Sequence, residues 1–216
     1  MAVGTTASSP DRAAHPSIRA RGSNRAAVSD MQDRILETAA QLYRRMGHGK
    51  TTVADIAHDM SMSPANVYRF FPTKHAIESA VAGKLLDQLL LAAREAASAD
   101  LSAAARLRAV LQAVGQLHAA RSIHAPRLHA LLVTATRENW PGVGSCADRL
   151  NSILAQLVAE GQSCGEFRDG DTMMLANCAL GAAAVYLDPS LIGAGASSSR
   201  PTFDQMIDFC IGALRK

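Results

Sequence analysis

An all-α fold of about nine helices, three in a small N-terminal part followed by six in a larger part, is what this sequence predicts, and three observations carry the prediction. Hydrophobic residues make up 48% of the 216 positions but aromatic residues only 4%. That apolar share is rich in Ala and Leu, which suit packed helices better than sheets built on Tyr, Thr and Ile. Apolar side chains also recur at helical spacing in one segment after another. Finally, Ser, Thr and Pro stand at the heads of these segments, and clusters of Gly, Pro and Ser separate them.

Residues 1–28 are mostly Ala, Ser, Thr, Gly, Pro and Arg without hydrophobic periodicity, which predicts a disordered tail. Arg12, Arg19, Arg21 and Arg25 oppose only Asp11 there, so the positive excess of the chain, +3 overall, is N-terminal. A basic arm reads either as a solubilising leader or as a segment that reaches phosphates or a minor groove. Order is expected from Ser29 or Asp30, either able to cap a first turn, with Ile35, Leu36, Ala39, Leu42, Tyr43 and Met46 as the stripe of helix one. Gly47 and Gly49 end it. Thr51 and Thr52 open a second helix on Val53, Ile56, Ala57 and Met60. Ser63 and Pro64 open a third, anchored by Val67, Phe70 and Phe71 and stopped by Pro72. Thr73 starts a long fourth helix carrying Ile77, Val81, Leu85 and Leu89 to about Ala97, the expected join between a domain at 29–75 and a larger one at 76–216. Further helices are expected over Leu101 to Arg121, Pro126 to Glu138, Ser145 to Glu160, Asp171 to Leu187 and Thr202 to Arg215.

Two short helices joined by a turn of three or four residues have the spacing of a helix-turn-helix, whose second helix enters the major groove of DNA. The outer side of the 63–70 helix offers Ala65, Asn66, Tyr68 and Arg69 and no acidic group. Arg can pair with guanine and Asn with adenine, and small residues let the backbone approach the base edges. Tyr68 has a hydroxyl for phosphate, and Thr51, Thr52, Ser63, Pro64 and Lys74 lie at helix starts, where free amides favour anions.

The run TTVADIAHDMSMSPANVYRFFPTKHAI, within residues 30–75, resembles the N-terminal domain of the TetR family of repressors. That family's pattern is a threonine opening the second helix, an apolar turn, Ser-Pro or a similar opening of the recognition helix, then Tyr, an aromatic pair and Lys. Thr52, Ser63, Pro64, Tyr68, Phe70, Phe71 and Lys74 supply it here. Two positions depart. Ser61 stands where family members usually have glycine, and Phe70 where His or Tyr often gives DNA a polar contact, so Phe70 reads as core or apolar contact. The resemblance implies that Thr52, Tyr68 and Lys74 hold phosphates, with Ala65 and Asn66 near bases and Arg69 near bases or phosphate. It also implies a dimeric, ligand-responsive repressor acting on a double-stranded palindromic operator, with a small hydrophobic effector and control of multidrug efflux. Regulation of lipid or small-metabolite catabolism and thiol-based oxidant sensing are the alternatives.

In the larger part, the segment from Asp171 to Leu187 is apolar nearly all round and so should be buried. With the last helix it is expected to form the dimer interface through Ala179, Ala182, Ala183, Tyr186, Phe203, Met206, Ile207 and Cys210. His118, Leu128, Leu132 and Trp140 are the candidates for effector contact, since they join a polar handle and an aromatic face to apolar walls.

Other classes find little support. The three histidines His118, His124 and His129 are spaced by six and five residues and do not share a helical face, so no metal site is expected. Cys146, Cys164, Cys178 and Cys210 lack CxxC spacing and read as small buried hydrophobes. No GxSxG, HExxH, P-loop or GxGxxG signature is present, so neither an enzyme nor a cofactor is expected. Apolar runs such as Leu89 to Ala93 fall far short of the roughly 20 residues of a membrane span, and residues 1–29 lack a signal-like core, so a cytoplasmic chain with no membrane partner is expected.

Overall fold

The computed structural model describes Met1, residues 18–191 and residues 200–216. Among the described residues there are nine helices, and the one β contact is an isolated antiparallel bridge between Phe167 and Arg215. The helices are α1 (Ile18–Met46), α2 (Val53–Asp59), α3 (Pro64–Tyr68), α4 (Lys74–Ala97), α5 (Ala103–His124), α6 (Pro126–Arg137), α7 (Pro141–Ser163), α8 (Thr172–Leu187) and α9 (Phe203–Leu214). No helix among the described residues is long and apolar enough to cross a membrane.

The helix starts follow local chemistry. Thr52, Ser63, Thr73, Ser102, Asp171 and Thr202 each accept a hydrogen bond from the amide three residues on, which satisfies a donor the helix cannot use. Pro64, Pro126 and Pro141 occupy first-turn positions, where the missing N–H costs nothing. Gly47 ends α1 at φ 89°, a left-handed backbone that a residue without Cβ adopts readily.

Three boundaries differ from the expectation. Helix α1 starts at Ile18 rather than at Ser29 or Asp30, which therefore lie inside it and cap nothing. Alanine and arginine at 25–27 favour continuation, and adding a turn to an existing helix is far easier than nucleating one. Residues 2–17 of the expected basic arm, with Arg12, lie outside the described residues, as do the side chains of Arg19, Arg21 and Arg25. Helix α3 is only five residues long and closes at Tyr68. Helix α7 begins at Pro141, so most of the expected NWPGVG link is its first turn. Asn139, at φ 52°, and Trp140 make the short junction that remains between α6 and α7.

Buried side chains form one continuous cluster from Ile35 to Leu214. Its N-terminal end is made by Ile35, Leu42 and Tyr43 of α1, Ile56 of α2, Val67 of α3 and Ile77 of α4. At about 1.5 Å per residue, the 24-residue α4 is about 36 Å long. It carries that packing into the helices beyond, where Leu85, Leu89 and Ala93 join a core with Leu107, Leu111 and Leu154.

Candidate nucleic-acid interface

Helices α2 and α3 meet through a turn whose geometry hangs on one residue. Ser61 has φ 53°, the left-handed region that non-glycine side chains avoid. The Met62 amide then donates to the Ala57 carbonyl at 2.9 Å, folding the turn back on α2. Ser63 Oγ accepts from the Asn66 amide at 3.3 Å and starts α3. Val67, with no exposure, and Phe71 anchor α3 to the core, while Phe70 is packed partly against it. The opposite side, with Pro64, Ala65, Asn66, Tyr68 and Arg69, faces outward, and Tyr68 is 48% exposed.

The residues expected at the flanks divide into those that are free and those already engaged. Thr51 is fully buried and its Oγ1 donates to the Gly47 carbonyl at 2.9 Å, so it closes the α1–α2 turn and presents nothing to a ligand. This corrects its place among the interface candidates. Thr52 is exposed but in a capping box: its hydroxyl accepts from the Asp55 amide at 3.1 Å, and its own amide and hydroxyl donate to Asp55 Oδ2, both at 2.8 Å. Those bonds, the backbone one foremost, hold the Asp55 carboxyl below its ordinary range. Lys74, in the first turn of α4, is partly buried, its Nζ 3.4 Å from Glu78 Oε1.

Glu78 and His48 are junction residues that sequence reasoning missed. His48 Nδ1 lies 3.4 Å from Glu78 Oε1, and its Nε2 lies 3.4 Å from Thr134 Oγ1 on α6. The ring thus touches both the helix that carries Lys74 and the larger helical part. Separations of 30 and 86 residues leave no local signal for these contacts.

Beyond the first turns of α4, a cavity of about 210 Å³ lies among α4, α5, α7 and α8, walled by Leu86, Leu89, Val114, Leu150 and Leu180. Of the four expected effector contacts, only His118 lines it. Leu128 and Leu132 are closed inside the core, because their face of α6 packs inward. Trp140 is held elsewhere: its Nε1 donates to Glu138 Oε2 at 2.9 Å and its ring meets His75 edge-on, at 4.6 Å between centroids.

Half of the residues expected at an interface on α8 and α9 lie on the inward faces of these helices. Ala179, Ala183, Ile207 and Cys210 are buried within the chain, with Cys210 Sγ 3.8 Å from the Ala179 carbonyl oxygen. Tyr186 and Phe203 stack on each other at 5.0 Å. Ala182 and Met206 are half-buried. The outward stripe is instead Met174, Cys178 and Gly181 on α8 and Phe209 and Ala213 on α9, with Phe209 67% exposed. The helix that looked buried all round therefore has an open apolar side. Cys164 and Cys178 are exposed, against the expectation that all four thiols are buried.

A helix pair with this turn, held on a third helix and continued by a long helix into a second helical part, has the architecture of a helix-turn-helix protein with a helical C-terminal domain. Two family models match: one described as bacterial regulatory proteins, tetR family, over residues 35–81, and one described as tetracyclin repressor-like, C-terminal domain, over residues 103–206. The chain belongs to the TetR family and is a TetR-family transcriptional regulator. Solved structures share its fold. A TetR/AcrR-family regulator from Thermobifida fusca is 21% identical with a TM-score of 0.63, covering 85% of this chain and 95% of its own. A tetR-family regulatory protein from Rhodococcus RHA1 is also 21% identical, with a TM-score of 0.59 and coverages of 85% and 96%. The TetR family regulator PfmR from Thermus thermophilus is 20% identical, with a TM-score of 0.56 and coverages of 83% and 96%. No curated protein matches the chain.

Proposed function

We propose that this regulator is a ligand-responsive repressor that covers a palindromic operator as a dimer and is released by a small apolar effector, in the cytoplasm and by binding rather than catalysis. The observation that carries the reading is the outward side of α3. Ala65 and Asn66 are presented without an acidic neighbour on the same helix, and Tyr68 and Arg69 flank them, all fixed by the buried Val67. Such a side suits base edges near the helix start and phosphates at its rim. Thr52 and Lys74 are the phosphate contacts at its edges, Lys74 by exchanging Glu78 for a phosphate. Two reading heads need a two-fold dimer, and the exposed apolar stripe around Phe209 is a face that favours one. Residues 29–75 then act as the reading head and 76–216 as the effector-binding and dimerising part.

Release requires an effector that binds the two conformations unequally. Helix α4 borders the cavity through Leu86 and Leu89 and begins at Lys74, and His48 ties its first turns to α6. The apolar walls favour control of an efflux operon for hydrophobic compounds, with lipid or small-metabolite catabolism as the second reading, favoured by the polar end of the cavity at His118. Oxidant sensing has less support at Cys146, because burial pushes its thiol up to about 11 and keeps it protonated.

The test is a gel-shift titration at fixed salt on the DNA upstream of its own gene. Tyr68→Ala and Lys74→Ala should weaken binding to all sequences, and Asn66→Ala and Arg69→Ala should also blur discrimination between operators. Unchanged affinity in all four variants would remove α3 and its flanks from the interface.

A further inference from the structure

One wall of the cavity borders a group of basic side chains, of which His118 is the member that lines it. His118 on α5 is 2% exposed and lines the cavity, and His129 on α6 is buried beside it, with ring centroids 6.3 Å apart. Arg121, one turn along α5, is partly buried. Its Nη2 donates to two neutral acceptors, the Leu85 carbonyl at 3.0 Å and Gln88 Oε1 at 2.9 Å, and no carboxylate pairs with it among the described residues. Three nitrogens of this group, His118 Nδ1, His129 Nδ1 and Arg121 Nη1, are buried with no hydrogen-bond partner. A buried polar nitrogen without a partner is costly; the Arg121 guanidinium can only donate and calls for an acceptor, as does an imidazole Nδ1 that carries the ring proton.

The surrounding charges agree. Desolvation comes first among the causes that push His118 down to about 4, and Arg121 and His129 add repulsion against a smaller upward pull from Asp188, so the imidazole is neutral near pH 7. His129 is lowered chiefly by burial, against a pull upward from the Pro189 backbone. Burial also lowers Arg121, with Arg44 of α1 adding to it. The facing side of α4 offers Leu86 and Leu89, and that of α7 the protonated thiol of Cys146. Asp188, after α8, is the one carboxylate of the lining, and its Oδ1 accepts from the Ser190 amide and hydroxyl, both at 2.7 Å.

We propose that the cavity binds a carboxylic acid with a compact apolar body, its carboxylate accepting hydrogen bonds from His118 and lying in the positive field of Arg121. The proposal rests on the effector reading above and names the chemistry of the effector. Size follows from the cavity: a dry cavity of about 150 Å³ takes benzene, so the 210 Å³ here takes an apolar body of roughly eight carbons. A singly charged head suits the one permanent cation, Arg121, whereas a dianion buried among leucines would be costly to desolvate. As the anion enters, its charge favours the imidazolium, and His118 takes up a proton from solvent.

The test is calorimetric titration of the full chain, without DNA, with octanoate, octan-1-ol and octylamine at neutral pH. Octanoate should bind at least tenfold more tightly than octan-1-ol, with octylamine weakest, and octanoate binding near pH 6 should show net proton uptake when buffers of different ionisation heat are compared. His118→Leu should bring octanoate and octan-1-ol within twofold of each other and abolish the uptake. Should that variant melt at the working temperature, Arg121→Gln decides the matter with a tenfold loss confined to octanoate. Equal affinities for acid and alcohol, tighter binding of the amine, or a preference for the acid that survives in the folded variant would overturn the proposal. If octanoate binds as expected but leaves operator affinity unchanged, the acid site stands and the release mechanism fails.

Discussion

Burial of a neutral imidazole makes the stability of this fold depend on pH in a window that can be calculated. His118 has an ordinary value of 6.5 and one of about 4 in the folded chain. Above 6.5 both folded and unfolded states hold it neutral, and its contribution is complete. As pH falls the unfolded chain takes up the proton first, so stability declines steadily until the folded value near 4 is reached. With about 1.36 kcal/mol per pH unit, the loss attributable to His118 is about 2 kcal/mol near pH 5 and about 3 kcal/mol near pH 4. The perturbation is His118→Leu, which removes the titrating group and its orphaned Nδ1 and keeps an apolar side chain of similar volume. Urea unfolding of both proteins at about pH 7.5, 6, 5 and 4.5 provides the free energies. His129, also shifted down, remains in both and cancels in the difference. The wild type should lose about 2 kcal/mol more than the variant between neutrality and about pH 5. Parallel pH profiles would show that His118 is not buried neutral, and would refute the reasoning.

Four other substitutions test the packing and the assembly. Ser61→Gly relieves the left-handed backbone at φ 53°. That strain is about 1–2 kcal/mol, of which glycine's own entropy loss returns about half, so melting should rise by about 2 °C, and a fall would contradict the strain. Gly161→Ala would put a Cβ 2.1 Å from Cδ2 of the fully buried Phe167. Overpacking of this kind costs about 1–3 kcal/mol, to be read as a lower urea midpoint with unchanged slope. Phe209→Arg should convert a dimer to a monomer in sedimentation at micromolar concentration, while Ile207→Val, on the inward face, should lower stability by about 0.5–1.5 kcal/mol and leave the dimer intact.

Much of the reading head was legible because its signals are local. A hydroxyl at Ser63 before Pro64, a threonine at Thr73, and the spacing of Val53, Ile56, Val67 and Phe71 each act within one or two turns of chain, and the structure has helices beginning at these points. Ser61 stands out against the glycine usual in the family at this turn, and its φ of 53° is the left-handed backbone that such a glycine adopts readily. Where local signals conflict, the sequence does not decide: Ser29 and Asp30 can cap a helix start, while the alanines and arginine at 25–27 favour continuation, and the helix runs back to Ile18.

The larger helical part divides differently. Composition and periodicity determined that residues 101–215 form helices and that those at 171–187 and 202–215 are strongly apolar. Tertiary structure alone decided which side of each faces the core. Ala179 and Ala183 lie inward and Cys178 and Gly181 outward, although the sequence offers small apolar residues on both sides. It also decided that His118 lines a cavity with His129 and Arg121 beside it, and that His48 meets Glu78 and Thr134. The physical reason is that caps and turns are energies of neighbouring residues, fixed by the order of the chain. The direction of a face and the meeting of distant side chains are energies of packing, and they exist only once all the helices are in place.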